Sequence, residues 1–185
     1  MEQMKIIAAT ERLIIREILP SDVEGMYALD SDPEVHRYLG NKPVTQKEQI
    51  VDVIKMIRQQ YLDFGIGRWA VIDKKTNDFM GWTGLKFVTE TTNGHQYYYD
   101  LGYRLIRKYW GQGIATETAL ISLEYAFNIL GVHEVFAAAH MENIASNSVL
   151  KKVGLRPIET FYYSDIKCNW YKIDKRDYEG RKQKS

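Results

Sequence analysis

The sequence predicts a mixed α/β fold in which helices flank a central sheet. Apolar residues recur at helical spacing in residues 46–65 and 115–130, whereas residues 69–106 change to short aromatic and branched runs separated by turn residues. The last third of the chain then alternates strands and helices. Because a helix and a sheet each need a second layer to cover an apolar face, this order is typical of one layered α/β domain.

The first half of the chain is predicted to contain one strand and two main helices. Residues 12–18 (RLIIREI) are rich in branched apolar side chains and stop at a Leu-Pro step, as a strand closed by a turn does. Ser21 and Asp22 can cap the first helix, and residues 32–40 form a short helical turn. The longer helix lies in residues 46–65 and carries one apolar stripe, formed by Ile50, Val53, Ile54, Ile57, Tyr61 and Leu62.

The second half is predicted to begin with an antiparallel meander and to end with two strands. Its strands are expected at residues 69–72, 79–88, 97–106, 135–139, 158–163 and 167–173. Its helices are expected at residues 115–130 and 146–153, each followed by a glycine that can end a helix. The final residues, 180–185 (GRKQKS), are expected to form a flexible tail.

Length and composition limit the classes of function. We expect a single domain over residues 1–185, because a chain of 185 residues is long enough for one sizeable core. With 25 basic and 24 acidic residues, nothing marks the chain as a binder of nucleic acid or of membrane surfaces. One cysteine excludes an internal disulfide, and no signal peptide or spanning segment is visible, so we expect a soluble cytoplasmic protein. The sequence leaves the oligomeric state open between monomer and homodimer. The four histidines lack metal-ligand spacing, and we expect no metal.

A glycine-containing turn precedes the helix at residues 115–130. Residues 109–117 read YWGQGIATE, with small residues at every second position from Gly111 to Ala115. The first amides of a helix lack partners and carry partial positive charge, so a phosphate can bind where no side chain covers them. A tight turn without a ligand is the alternative. A Walker loop would need Gly-Lys before Ser or Thr, and a dinucleotide fingerprint would need glycine in place of Thr116.

The run GYRLIRKYWGQGIATETA resembles the acetyl-CoA-binding segment of the GNAT acetyltransferases, in particular the branch typified by ribosomal-protein N-terminal acetyltransferases. Trp110 stands where most of the family has Gln or Arg. The opening segment TERLIIREILPSDVEGMYAL and the late segment NIASNSVLKKVGL resemble the same branch. The resemblance implies the GNAT-like fold, with a mixed, mostly antiparallel central sheet flanked by helices.

The resemblance also implies how acetyl-CoA would bind. Its pyrophosphate would lie on backbone amides with the Thr116 hydroxyl nearby, and its pantetheine arm would run along the backbone of the strand before the loop. Asn143 would contact the cofactor, and Gly102 would mark a bulge or a close approach of another backbone. The pyrophosphate amides are those of Trp110, Gly111, Gln112, Gly113, Ile114 and Ala115, and the pantetheine residues are Tyr103, Leu105 and Ile106.

The chemistry implied by the resemblance is direct attack of a primary amine on the thioester. Asp100 is the candidate base or water-ordering carboxylate, at a position where this branch often has glutamate. Ser146, three residues after Asn143, is the candidate acid, because Leu150 stands where many members have a tyrosine. For Asp100 a structural role is equally open, and for Ser146 a helix N-cap. Glu117, Tyr162 and Tyr163 are weaker catalytic candidates.

The resemblance favours a protein or peptide N-terminal α-amino group as acceptor. An α-amine with a pKa near 8 is about 10% neutral at pH 7, whereas a lysine is below roughly 0.1% neutral, so an α-amine needs a less powerful base. A small-molecule amine or antibiotic is the alternative acceptor, and a non-catalytic CoA-binding module is the alternative class. The acceptor is expected to face residues 30–64 and the hairpin at 158–173.

Overall fold

The computed structural model describes residues 5–182. Eight strands and six helices follow one another in this part of the chain. The strands are β1 (Ile6–Ala9), β2 (Leu13–Glu17), β3 (Arg68–Asp73), β4 (Phe79–Val88), β5 (Tyr98–Leu105), β6 (Glu134–His140), β7 (Arg156–Tyr163) and β8 (Ile166–Asp174). The helices are α1 (Val23–Asp30), α2 (Pro33–His36), α3 (Lys47–Phe64), α4 (Ile114–Glu124, continued by a π turn at Tyr125–Ile129), α5 (Ile144–Lys152) and α6 (Lys175–Lys182).

The strands form one sheet in the order β1-β2-β3-β4-β5-β6-β8-β7. Neighbouring strands are antiparallel except β5 and β6, which run parallel and are paired only between Asp100 and Phe136. Beyond that pair, toward the carboxyl ends of both strands, no further pairing joins them in the described residues. The sheet is therefore continuous at one end of this strand pair and open at the other.

The helices cover both faces of the sheet. Helices α1 and α3 pack over a cluster that includes Ala70 and Trp82. Thr83, the next residue along β4, contacts Ser122 of α4 instead, because successive strand residues point to opposite faces. Tyr103 lies opposite Thr83 in the register and contacts α5. Helices α4 and α5 thus share the face opposite α1 and α3.

The structure confirms the predicted mixed sheet and the antiparallel meander, which is β3, β4 and β5. Two elements were not predicted. Strand β1 forms a hairpin with β2 although it is only four residues long, and α6 follows β8 directly. Residues 180–182 of the expected flexible tail lie in α6, and residues 183–185 lie outside the described part. Between residues 5 and 182, no helix combines the length and the hydropathy needed to cross a bilayer.

Candidate active site

The candidate site lies where β5 and β6 separate. The glycine loop and α4 follow the carboxyl end of β5, and α5 follows the carboxyl end of β6. Both helices therefore begin at the opening between β5 and β6. In α/β sheets, ligands bind outside the carboxyl ends of parallel strands where neighbouring connections diverge.

The glycine loop leaves its backbone uncovered. Gly111 and Gly113 both have positive φ, 72° and 75°, and a side chain at Gly111 would meet no atom within 4 Å. Gly113 is the N-cap of α4, and the first amide bonded within this turn is that of Glu117, which donates to the Gly113 carbonyl. The amides of Ile114, Ala115 and Thr116 precede that bond. Their arrangement fits an anion such as a pyrophosphate.

Three of the expected backbone contacts are already used within the protein. The Trp110 amide donates to the Arg107 carbonyl, and its indole Nε1 donates to the Leu105 carbonyl at 2.8 Å. The Ile106 amide donates to Met80, and its carbonyl accepts from Tyr109. These bonds occupy the amides of Trp110 and Ile106 and one acceptor site on each of the Leu105 and Ile106 carbonyls, and the cofactor contacts expected at the three residues stay predictions. Tyr103 lies beyond the last pair between β5 and β6.

Arg12 stands beside the glycine loop and was missed as a site residue. Its guanidinium lies within 3.7 Å of where a side chain at Gly113 would begin. It also pairs with Glu117 in the first turn of α4, with an Nη2 to Oε2 distance of 2.7 Å. Because Arg12 and Glu117 are 105 residues apart, no local pattern could have joined them. Glu117 therefore forms an ion pair at the edge of the loop.

Asp100 is held by Arg68 on the face that α1 and α3 cover. The two side chains form an ion pair, and both are largely buried. Arg68 also donates to the carbonyls of Gly84 (2.6 Å) and Asp100 (2.7 Å). Loss of hydration raises the pKa of the Asp100 carboxyl, and the Arg68 guanidinium opposes that rise.

Gly102 makes room for this guanidinium. A side chain at Gly102 would come within 2.7 Å of Arg68 Nη2. The close approach expected at Gly102 is therefore that of a side chain, and β5 continues without a bulge through the Gly84–Gly102 pair.

A second ion pair, between Arg104 and Asp30, lies beside Arg68. The Trp82 indole lies between the guanidinium groups of Arg68 and Arg104, at 5.2 and 5.1 Å. Arg104 donates to the buried Asp30 carboxylate at 2.6 Å, and His36 Nε2 lies 3.5 Å from the same carboxylate. Two arginines and two aspartates compensate each other here. This part of the site is polar, and its negative charges are balanced by positive ones.

Ser146 lies in the first turn of α5 and contacts Tyr103 of β5. The side-chain oxygen of Asn143 accepts from the Ser146 amide at 3.1 Å, so Asn143 is the N-cap of α5. The helix N-cap, which was the alternative role for Ser146, is therefore Asn143. The Tyr103 hydroxyl donates to the Ser146 carbonyl at 3.0 Å and lies 3.2 Å from the Ser146 Oγ. Leu150 is buried in the core, with 1% of its surface exposed.

A groove of about 530 Å³ lies next to the start of α5. It runs between the segment after α2, the turn that joins β6 to α5, and the β7–β8 hairpin. It thus lies between the two regions expected to face an acceptor. Its lining residues are Arg37, Gly40, Asn41, His140, Met141, Glu142, Asp165, Ile166 and Lys167.

The remaining candidates lie apart from these groups. Tyr162 and Tyr163 are exposed on β7, the edge strand, by 67% and 53%.

Across residues 5–182, no three His, Cys, Asp or Glu side chains come together as a metal site requires.

Comparison with known proteins identifies the fold and the class of activity. Residues 12–156 match the family described as the acetyltransferase (GNAT) domain. The chain is 29% identical to an uncharacterised N-acetyltransferase, p20, of Bacillus licheniformis over 92% of this chain and 97% of that one. It is 34% identical to an FsC-acetyl coenzyme A-N(2)-transacetylase of Aspergillus fumigatus over 72% of this chain and 58% of that one.

Solved structures show the same fold. A GNAT-family acetyltransferase from Bacillus anthracis superposes with a TM-score of 0.76 at 25% identity, covering 92% of this chain and 99% of that one. A spermidine N-acetyltransferase from Vibrio cholerae, in complex with CoA and spermine, gives 0.73 at 15% identity over 92% and 99%. A ribosomal L7/L12 α-N-protein acetyltransferase in complex with coenzyme A gives 0.77 at 16% identity over 92% and 98%. The predicted GNAT fold is confirmed.

Proposed function

The chain belongs to the GNAT acetyltransferase family, and from that premise we propose that it transfers the acetyl group of acetyl-CoA to an N-terminal α-amino group of a protein or peptide. The donor would bind at the opening between β5 and β6. Its pyrophosphate would lie on the amides of Gly111 to Thr116 beside Arg12. Its pantetheine would run past Tyr103 toward the start of α5, where Asn143 lies.

The observation that carries the choice of acceptor is the ion pair between Asp100 and Arg68. Asp100 cannot take a proton without leaving the Arg68 guanidinium buried and unpaired, which is costly. A site whose carboxylate is committed in this way is poorly suited to an amine with a pKa above 10. An α-amino group has a pKa near 8 and is about 10% neutral at pH 7, so it needs only a water ordered by Asp100.

The groove beside α5 supports the same acceptor. Arg37 and Lys167 compensate Glu142 and Asp165 along its wall, and Met141 adds an apolar surface that is 40% exposed. A polyamine or a polycationic antibiotic would be recognised by an excess of carboxylates. A peptide end, which combines one charge with polar backbone and mixed side chains, fits this lining better.

The reaction would then proceed as follows. The neutral amine attacks the thioester carbonyl, and a backbone N–H near residues 101–103 stabilises the oxyanion that forms. The nitrogen loses its proton to solvent through the water that Asp100 orders. The carbon–sulfur bond breaks, and Ser146 provides a proton to the departing thiolate.

The second candidate acceptor is a small-molecule amine, because a neighbour in fold is named for acetylating spermidine. A panel of acceptors with labelled acetyl-CoA separates the two. We expect peptides with free N-termini to be acetylated with a kcat/KM at least about tenfold above that of spermidine or lysine. The matched control is the same peptide with a blocked N-terminus and a free lysine, which should not react.

Faster acetylation of polyamines or aminoglycosides than of any peptide end would contradict the proposal. Binding of acetyl-CoA without CoA release in the presence of any amine would instead favour a non-catalytic module.

A further inference from the structure

Tyr103 is the side chain of β5 that reaches across the opening of the sheet. Its ring extends from β5 to the first turn of α5, where the hydroxyl meets both the carbonyl and the Oγ of Ser146. The two residues are 43 positions apart. Because β5 and β6 are unpaired at this level, the Tyr103–Ser146 contact links the two walls of the opening.

The geometry limits where the hydroxyl protons can lie. A hydroxyl group has one proton to donate and two acceptor sites. If Tyr103 donates to the Ser146 carbonyl at 3.0 Å, the 3.2 Å contact between the hydroxyls must be donated by Ser146. The Ser146 proton then points at Tyr103. Rotation of the Tyr103 hydroxyl toward Ser146 Oγ reverses that bond and frees the Ser146 proton for another acceptor.

Tyr171 is a second phenol that contacts α5, but its proton is already donated to a hydrogen bond. Its hydroxyl donates to the Asn147 side-chain oxygen at 2.7 Å, and the residue is fully buried. Burial raises the pKa of Tyr103, so this phenol keeps its proton at neutral and mildly alkaline pH. Tyr103 is therefore a protonated hydroxyl that remains free to exchange partners.

We propose that Tyr103 is a positioning residue that forms a two-hydroxyl proton relay with Ser146 for the departing thiolate. The inference rests on the acid role proposed above for Ser146. When the carbon–sulfur bond breaks, the Ser146 proton moves to the sulfur and the Tyr103 proton moves to Ser146 Oγ. Tyr103 takes up a proton from solvent in the same step, which replaces the one that the amine nitrogen released, so no buried phenolate remains. The sum is one amide and one thiol from one amine and one thioester.

The test compares Tyr103→Phe, Ser146→Ala and the double variant in single-turnover reactions with saturating acceptor. We expect Ser146→Ala to slow turnover by about 100-fold, the range of general acids, and Tyr103→Phe to slow it by about tenfold. The Kd for acetyl-CoA should change less than about twofold in both. Because Tyr103 acts through Ser146, adding Tyr103→Phe to Ser146→Ala should cost nothing further.

Tyr99→Phe is the matched control. It removes a phenol from the same face of β5, where the Tyr99 ring packs on Phe87 at 5.1 Å. It should turn over at the unaltered rate.

The outcomes separate the two proposals. Slowing by Ser146→Ala with no slowing by Tyr103→Phe overturns the relay and leaves the proposed function in place. Equal slowing by Tyr103→Phe with and without Ser146 shows a structural role and overturns the relay as well. Unchanged turnover in Ser146→Ala removes the acid role and the relay together.

A second measurement is the solvent isotope effect in mixed water. In mixtures of H₂O and D₂O, the unmodified enzyme should give a curved dependence of rate on deuterium content, because two protons move together. A linear dependence would overturn the relay. Tyr103→Phe should give the linear form.

Discussion

At the scale of single residues, His36 is buried beside charged groups. Its Nε2 lies 3.5 Å from a carboxylate oxygen of Asp30, and neither ring nitrogen makes a well-aligned hydrogen bond. Burial and the Arg104 guanidinium lower the pKa of His36 below its ordinary 6.5, although Asp30 opposes the shift. The unfolded chain therefore binds a proton at this residue before the folded one does. The contribution of His36 to the free energy of unfolding is therefore complete above about pH 6.5 and is lost as the pH is lowered through that value.

We expect His36→Gln to flatten this dependence. For one proton the slope cannot exceed about 1.4 kcal/mol per pH unit, so the change is measurable by urea unfolding between about pH 5.5 and 7.5. His133→Gln is the control, since His133 is exposed. If the slopes of His36→Gln and the natural protein coincide, the histidine is not the group that titrates.

At the scale of elements, α5 is anchored by the side chain of Asn147. Its amide nitrogen donates to the carbonyls of His140 (2.9 Å) and Asn143 (2.7 Å). Its oxygen accepts from Asn169 and Tyr171 on β8, both at 2.7 Å. Both donors and both acceptor sites of this buried amide are used. These bonds hold the first turn of α5 at the opening between β5 and β6.

Asn147→Ala should destabilise the fold by about 2–4 kcal/mol, because it leaves several buried polar groups without partners. It should also lower turnover by displacing Ser146. Asn128→Ala is the control: Asn128 is exposed in the π turn after α4, and its removal should change stability by less than about 0.5 kcal/mol. A loss below about 1 kcal/mol for Asn147→Ala, measured by chemical unfolding, would contradict this anchoring.

At the scale of the whole molecule, one bound ligand would join the two parts of a sheet that share a single pair across β5 and β6. Acetyl-CoA at about 100 times its Kd should add about 2.7 kcal/mol to stability. For a chain of this length, that corresponds to a rise in Tm of roughly 5–10 °C.

Gly113→Glu should abolish this rise, because it places a carboxylate at the phosphate-binding amides. Gly131→Glu is closely matched: φ is 67° at Gly131 and 75° at Gly113, and neither position is crowded. Both variants should lose similar intrinsic stability, and only Gly131→Glu should keep the response to acetyl-CoA. A preserved Tm rise in Gly113→Glu would argue against phosphate binding at this loop.

The sequence by itself determined the layered α/β class, the meander and the glycine loop before α4. These depend on local periodicity and on glycines whose φ values of 72° and 75° suit a tight turn. The series of segments in family order predicted the GNAT fold. The short edge strand β1 gives too weak a periodic signal to be found in this way.

Only the tertiary structure decided what the candidate catalytic residues contact. Arg68 meets Asp100, Arg12 meets Glu117, and Tyr103 meets Ser146, across 32, 105 and 43 positions of the chain. The physical reason is that each pair is brought together by strand register and by where β5 and β6 separate, which are properties of the assembled sheet. The sequence states which polar groups are present, and the packing of the sheet and helices decides which of them contact one another.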